Sequence, residues 1–194
     1  MIKNIGLSMV AMAGCLSLSS CLKDNNPPPL YDWSVPNLVS FQDNGGAGGG
    51  GAGYGTTTTP YPLYQFPLTL SGGSTDTAGF DAIIIYGPNG TAPEDITVNL
   101  AIDTTALVAF NTAQGLYLPG ATPLIVPPDP TSYSFPSSIT IPKGQTQGYG
   151  RITVNQNSNP DPNALYAIPL IITSTSYGTI STNMGIEINY FSVN

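Results

Sequence analysis

Ile96-Thr97-Val98-Asn99-Leu100-Ala101-Ile102 is the stretch that decides the fold. Its apolar side chains recur at every second position, with Thr97, Asn99 and Ala101 between them. That is the period of a strand with one face in a core and one in water. Asp103 follows at once. A carboxylate there can accept hydrogen bonds from the first free N–H groups of a helix. A short helix is therefore predicted over Thr104–Ala113 and ends at Gly115. Leu107, Val108 and Phe110 are expected to close one edge of the core.

Working outward, the same period recurs. Tyr149 to Asn155 places Tyr149, Arg151, Thr153 and Asn155 opposite Ile152 and Val154. Phe80 to Tyr86 holds the β-branched run Ile83–Ile85, suited to a central strand. Pro36–Phe41, Leu63–Ser71, Ser132–Phe135, Ser138–Ile141, Leu165–Thr173 and Gly185–Val193 read as further strands. Gly87-Pro88-Asn89-Gly90 and Pro142-Lys143-Gly144 mark turns. The segment from Pro119 to Pro136 holds six prolines with its ends included, so continuous ladder pairing is not expected there. The sum is an all-β, immunoglobulin-like β-sandwich of about seven to nine strands with one short helical turn. Two stacked sheets are expected, each with one face in water.

Composition narrows the chemistry. Charged residues make up 8% of the chain and the net charge is −7. That balance disfavours nucleic acid as a partner. There is no His, and the two cysteines are Cys15 and Cys21. Ser–His and Cys–His catalysis and Cys/His zinc sites are excluded from the folded domain.

The N-terminus is read as a targeting segment. Lys3 precedes an apolar run from Ile5 to Leu18 that is too short to span a bilayer. Leu18-Ser19-Ser20-Cys21 resembles the cleavage site of bacterial lipoprotein signals. Met12-Ala13-Gly14-Cys15 is a weaker match with Met in the first position. Lys23–Asp24 resembles the export tag of Bacteroidetes surface lipoproteins. The expected organisation is a signal peptide over 1–20, an acylated Cys21 with a flexible tether over 21–35, and the sandwich domain over 36–194. The expected location is the outer membrane, lipid-anchored and facing the exterior.

From Ile96 onward a set of motifs recurs in a characteristic order. It runs Ile96 to Asp103, Leu107-Val-Ala-Phe-Asn111, Leu116-Tyr-Leu-Pro119, Tyr133-Ser-Phe, Ile139-Thr-Ile-Pro-Lys-Gly144 and Tyr166-Ala-Ile-Pro-Leu170. The order resembles the Bacteroidetes domain of unknown function 1735. That resemblance implies an immunoglobulin-like N-terminal module of surface lipoproteins used in glycan utilisation. It transfers no catalytic residues. The proline-rich segment after Pro119 departs from the pattern, since it separates motifs that usually sit closer.

Other constellations fail on detail. Gly46, Gly48 and Gly51 match G-x-G-x-x-G, but no amphipathic helix follows to aim at a phosphate. Asn157, Asn159, Asp161 and Asn163 alternate like calcium ligands, yet Pro160 and Pro162 interrupt them and Ile168 stands where a bidentate Glu belongs. Glu94–Asp95, Asp76, Asp81, Asp103 and Glu187 are spread over separate elements, unlike the facing carboxylates of a glycoside hydrolase. No metal or cofactor is expected. Trp33 and eleven tyrosines invite sugar stacking, although Tyr is also ordinary strand filling. Tyr54, Tyr61 and Tyr64, in or beside the glycine-rich loop, are the candidate glycan contacts. Thr77, after Asp76 in a Gly/Ser-rich loop, is a candidate O-glycosylation site. The expected function is a non-catalytic accessory or binding module for glycan capture and uptake. The alternatives are a spacer or docking subunit for another surface protein, as in an adhesion or pilus-like assembly, and, least favoured, a glycoside hydrolase.

Overall fold

The computed structural model describes residues 35–42, 63–65, 77–87, 90–155, 161, 163–182 and 184–192, with the backbone alone for 63–65, 77–78 and 192. Leu18, Ser19, Ser20, Cys21, Lys23, Asp24, Trp33, Tyr54 and Tyr61 lie outside the described residues, as does the glycine-rich run.

The elements in chain order are β1 (Leu38–Phe41), β2 (Leu63–Gln65), β3 (Thr77–Tyr86), β4 (Ile96–Ile102), α1 (Thr104–Ala113), β5 (Leu124–Ile125), β6 (Tyr133–Ser134), β7 (Ser138–Ile141), β8 (Gln147–Asn155), β9 (Leu165–Thr175), β10 (Thr179–Ile180) and β11 (Ile186–Ser192). They form two sheets, one in the order β10-β1-β3-β8-β6 and one in the order β2-β11-β9-β4-β7, with β5 added beside β9. The sheets are mainly antiparallel. The pairs β1–β10, β2–β11 and β5–β9 are parallel and short. The architecture is an all-β sandwich with one helix.

The core lies between the two sheets. Ile84, Ile96, Val98, Ile152, Val154, Ile168 and Leu170 are fully buried in it. The alternation in β4 holds as read, with Ile96, Val98 and Leu100 inward. In β8 the inward positions are 148, 150, 152 and 154, again as read. β8 begins at Gln147, and its pairing with β3 runs from Ile85 back to Thr77. Thr77, expected in a loop, is therefore the first residue of a strand, with its backbone opposite Asn155.

Two expectations are corrected. The second sheet does not have one face in water along its whole length. Leu107, Phe110, Leu124, Ala167 and Ile188 form a second apolar cluster on its outer face, where α1 and β5 cover it. β9 accordingly reads as a nearly continuous buried run, as strands covered on both faces do. Val108 does not join Leu107 and Phe110 in closing the core; it is 53% exposed on the outer side of α1. Helical geometry separates it, since 107 and 110 share a face and 108 is about 100° away. Among the described residues the strand count is eleven. The additional strands include the two-residue pieces β5 and β10. β5 and β6 are what the proline-rich segment allows, two residues of pairing each.

Pro169 stands inside β9, where a missing N–H would normally break a ladder. Its carbonyl accepts from Asp103 N at 2.9 Å, where the chain leaves β4 for α1. The missing donor thus falls where β4 ends and α1 begins.

Candidate ligand-binding site

Helix α1 is set by its cap. Asp103 Oδ1 accepts from Thr105 N at 2.9 Å and from Ala106 N at 3.1 Å. At the far end Gly115 takes φ +66° and Leu116 N donates to Asn111 O at 2.8 Å, turning the chain back along the helix. Asn111 is buried, and its side chain ties the returning loop to the helix. Its amide nitrogen donates to Leu124 O at 2.8 Å, and its oxygen accepts from Leu124 N at 3.1 Å. The same amide reaches Tyr117 Oη at 3.3 Å.

This arrangement leaves a cavity of about 250 Å³ between the end of α1 and the outer face of the second sheet. Phe110, Gln114 and Leu116 form one wall, Thr122 and Leu124 the other, and Leu165 and Tyr190 the floor. The lining is largely apolar and bears no formal charge. Burial pushes the Tyr190 hydroxyl above its ordinary pKa, so it stays a neutral donor. Such a lining offers apolar contact with a neutral hydroxyl beside it.

Of the candidate tyrosines, only Tyr64 falls on a described backbone. It lies in β2, in register with Asn189, and β2 runs beside the strand that carries Tyr190. The pocket residues were visible in the sequence only in part. Phe110 and Leu116 belong to the quoted motifs, while Tyr190 read as one strand residue among many.

The acids have structural tasks. Asp103 caps α1. Asp95 Oδ1 accepts from Lys143 N at 2.7 Å, and Asp161 Oδ1 accepts from Asn163 N at 2.8 Å. Asp81 meets Arg151 at 3.3 Å on the surface. Glu187 differs. It lies on the inner face of β11 with Asn189, and both are buried. Burial raises its pKa to about 8, and the amide of Asn189 offsets this only in part. Glu187 Oε2 and both polar atoms of the Asn189 amide lack a well-aligned hydrogen-bond partner. Among the described residues no group of three or more His, Cys, Asp or Glu side chains is placed to hold a metal ion. Among them, too, no helix is long and apolar enough to cross a membrane.

A family model for an N-terminal domain matches residues 54–178, well over half of the chain. A multidomain protein from Bacteroides ovatus that includes domain of unknown function 1735 shares the fold, at 18% identity and a TM-score of 0.51 over 80% of this chain and 44% of that one. The chain belongs to this family of N-terminal modules. A presumed carbohydrate-binding protein from Bacteroides ovatus matches the module at 12% identity and a TM-score of 0.52, over 69% of this chain and 36% of that one. A Bacteroides thetaiotaomicron protein solved with a Man5GlcNAc product matches at 15% identity and a TM-score of 0.50, over 69% of this chain and 28% of that one. The module thus spans less than half of each solved structure. Comparison with curated proteins yields no match.

Proposed function

We propose that this module is a non-catalytic binding element for neutral glycans, carried on a lipid anchor at the outer membrane and facing the exterior. The observation that carries the reading is the pocket between α1 and the second sheet. It is uncharged, mostly apolar and held open by the buried Asn111 bonds. Neutral sugar rings need stacking and hydrogen bonds rather than charge, and the lining offers both. The described acids speak for binding rather than hydrolysis, because Asp95, Asp103 and Asp161 are engaged in turns and caps and Glu187 is sealed in the core. The carbohydrate-binding description of one fold relative points the same way, while another relative is an endoglycosidase.

Isothermal titration calorimetry of the full chain against neutral gluco-, xylo- and manno-oligosaccharides tests this. Thr122 is exposed at the rim, so Thr122→Trp fills the pocket without disturbing the core. The reading expects a monosaccharide or disaccharide to bind the parent and not the variant. Equal binding by both would move the site elsewhere. No binding by the parent would favour the docking reading, for which one observation speaks. Val108, Tyr117, Leu118 and Ile125, four of the five large apolar side chains exposed among the described residues, lie on α1, the loop that follows it and β5.

A further inference from the structure

The outer face of the first sheet carries a second, differently built feature. Along β8 the outward residues are Gln147, Tyr149, Arg151, Thr153 and Asn155. The neighbouring strand β3 sets Ile83 opposite Tyr149 and Asp81 opposite Arg151. Tyr149 is 58% exposed, although its ring is the largest apolar surface in the row. Its hydroxyl accepts a hydrogen bond from the Gln147 amide on the same face of the strand. On the other side of the ring Arg151 and Asp81 cancel each other's charge at 3.3 Å. Further along, Ser134 and Thr153 share a hydroxyl–hydroxyl bond of 2.6 Å.

The backing of this row is rigid. Gly148 and Gly150, on the inner side of β8, let β7 approach directly. A Cβ at 148 would stand 2.3 Å from Thr140 O, and one at 150 would stand 2.5 Å from the Ile139 side chain. Two glycines flanking an exposed tyrosine therefore place the ring on a strand with no slack beneath it.

We infer that this row is a second carbohydrate site, one that holds an extended neutral oligosaccharide along β8 with one ring stacked on Tyr149. The row runs about 27 Å from Gln147 to Asn155 at ~3.4 Å per residue, enough for several sugar rings in line. Its charge argues for a neutral occupant. The chain as a whole is strongly acidic, yet the only ionic groups in this row are a matched pair. The ring stacks on an apolar sugar face, while Gln147, Arg151, Asp81 and Thr153 supply donors and acceptors at its edge. Tyr has only two side-chain torsions to order, so stacking on it costs little conformational entropy. This inference rests on the glycan reading above but uses the opposite sheet, so the two can fail separately.

The test uses the full chain with the first pocket blocked by Thr122→Trp. Calorimetry compares neutral gluco-, xylo- and manno-oligosaccharides of two and six residues. The hexasaccharide should still bind, whereas the disaccharide, too short to follow the row, should not. Adding Tyr149→Ala should weaken it by about ten-fold, the size of one aromatic stacking contact. Tyr149→Phe in the same background should restore most of the affinity. If the blocked protein binds no hexasaccharide, or binds it equally well after Tyr149→Ala, the second site is overturned. The glycan reading itself falls only if the unblocked parent also binds none of the panel.

Discussion

Glu187 makes the stability of this module depend on pH in a direction opposite to that of most acidic residues. In the unfolded chain its carboxyl titrates near 4.5; in the folded core its pKa is about 8. Between these values the native state keeps a proton that the unfolded state has lost. Stability then falls as pH rises, by about 1.4 kcal/mol per pH unit. The contribution is complete below pH 4.5 and gone once pH passes about 8. Integrated over that window the loss is at most about 5 kcal/mol, and local relaxation of the core reduces it to about 2–5 kcal/mol. Glu187→Gln keeps the shape and removes the titration. Urea unfolding followed by circular dichroism at pH 5, 6, 7 and 8 measures the effect. The parent should lose stability steadily over this range relative to the variant, and the variant should be the more stable protein at pH 8. Parallel profiles for the two proteins, or a parent that gains on the variant toward pH 8, would refute the argument.

Gly148→Ala should cost about 2–3 kcal/mol and lower Tm in a thermal melt, because the new methyl meets the backbone of β7 rather than a side chain that could move. Asn111→Ala leaves both backbone groups of Leu124 unpaired and should cost about 2–4 kcal/mol in urea unfolding. It should also weaken ligand binding in the pocket more than Thr112→Ala, a change on the exposed side of the same helix. Asp103→Ala removes the cap of α1 and should cost about 1 kcal/mol in the same assay. Cys21→Ala should release the protein from the membrane fraction, and protease added to intact cells should digest the parent; full protection until lysis would place the module on the periplasmic leaflet.

The elements whose physics is local were legible before folding. The alternation of Ile96–Ile102 and of the second half of β8 needs only a strand's two-residue period. The start of α1 needs only Asp103 and the two amides it accepts from. The order of motifs from Ile96 to Leu170 identified the family. The candidate site was much less legible. Alternation defines two faces of a strand but does not say what lies against each. In β11, Ile186, Ile188 and Tyr190 alternate with Glu187, Asn189 and Phe191. Read alone, the isoleucine face belongs in the core and the Glu–Asn face in water. Tertiary structure buries both faces, because α1 packs over the isoleucine face beside Leu124 of β5 while the first sheet covers the other. The same covering creates the pocket, puts Tyr190 on its floor and leaves Val108 outside. Gly148 and Gly150 have no side chain for an alternation to register, and only the approach of β7 from the opposite sheet gives them a reason. Sequence by itself determined the long alternating strands such as β4 and where the helix begins, since neighbours along the chain settle those. What each face buries, and where a cavity remains, depends on elements distant in sequence, and only the packed structure decided it.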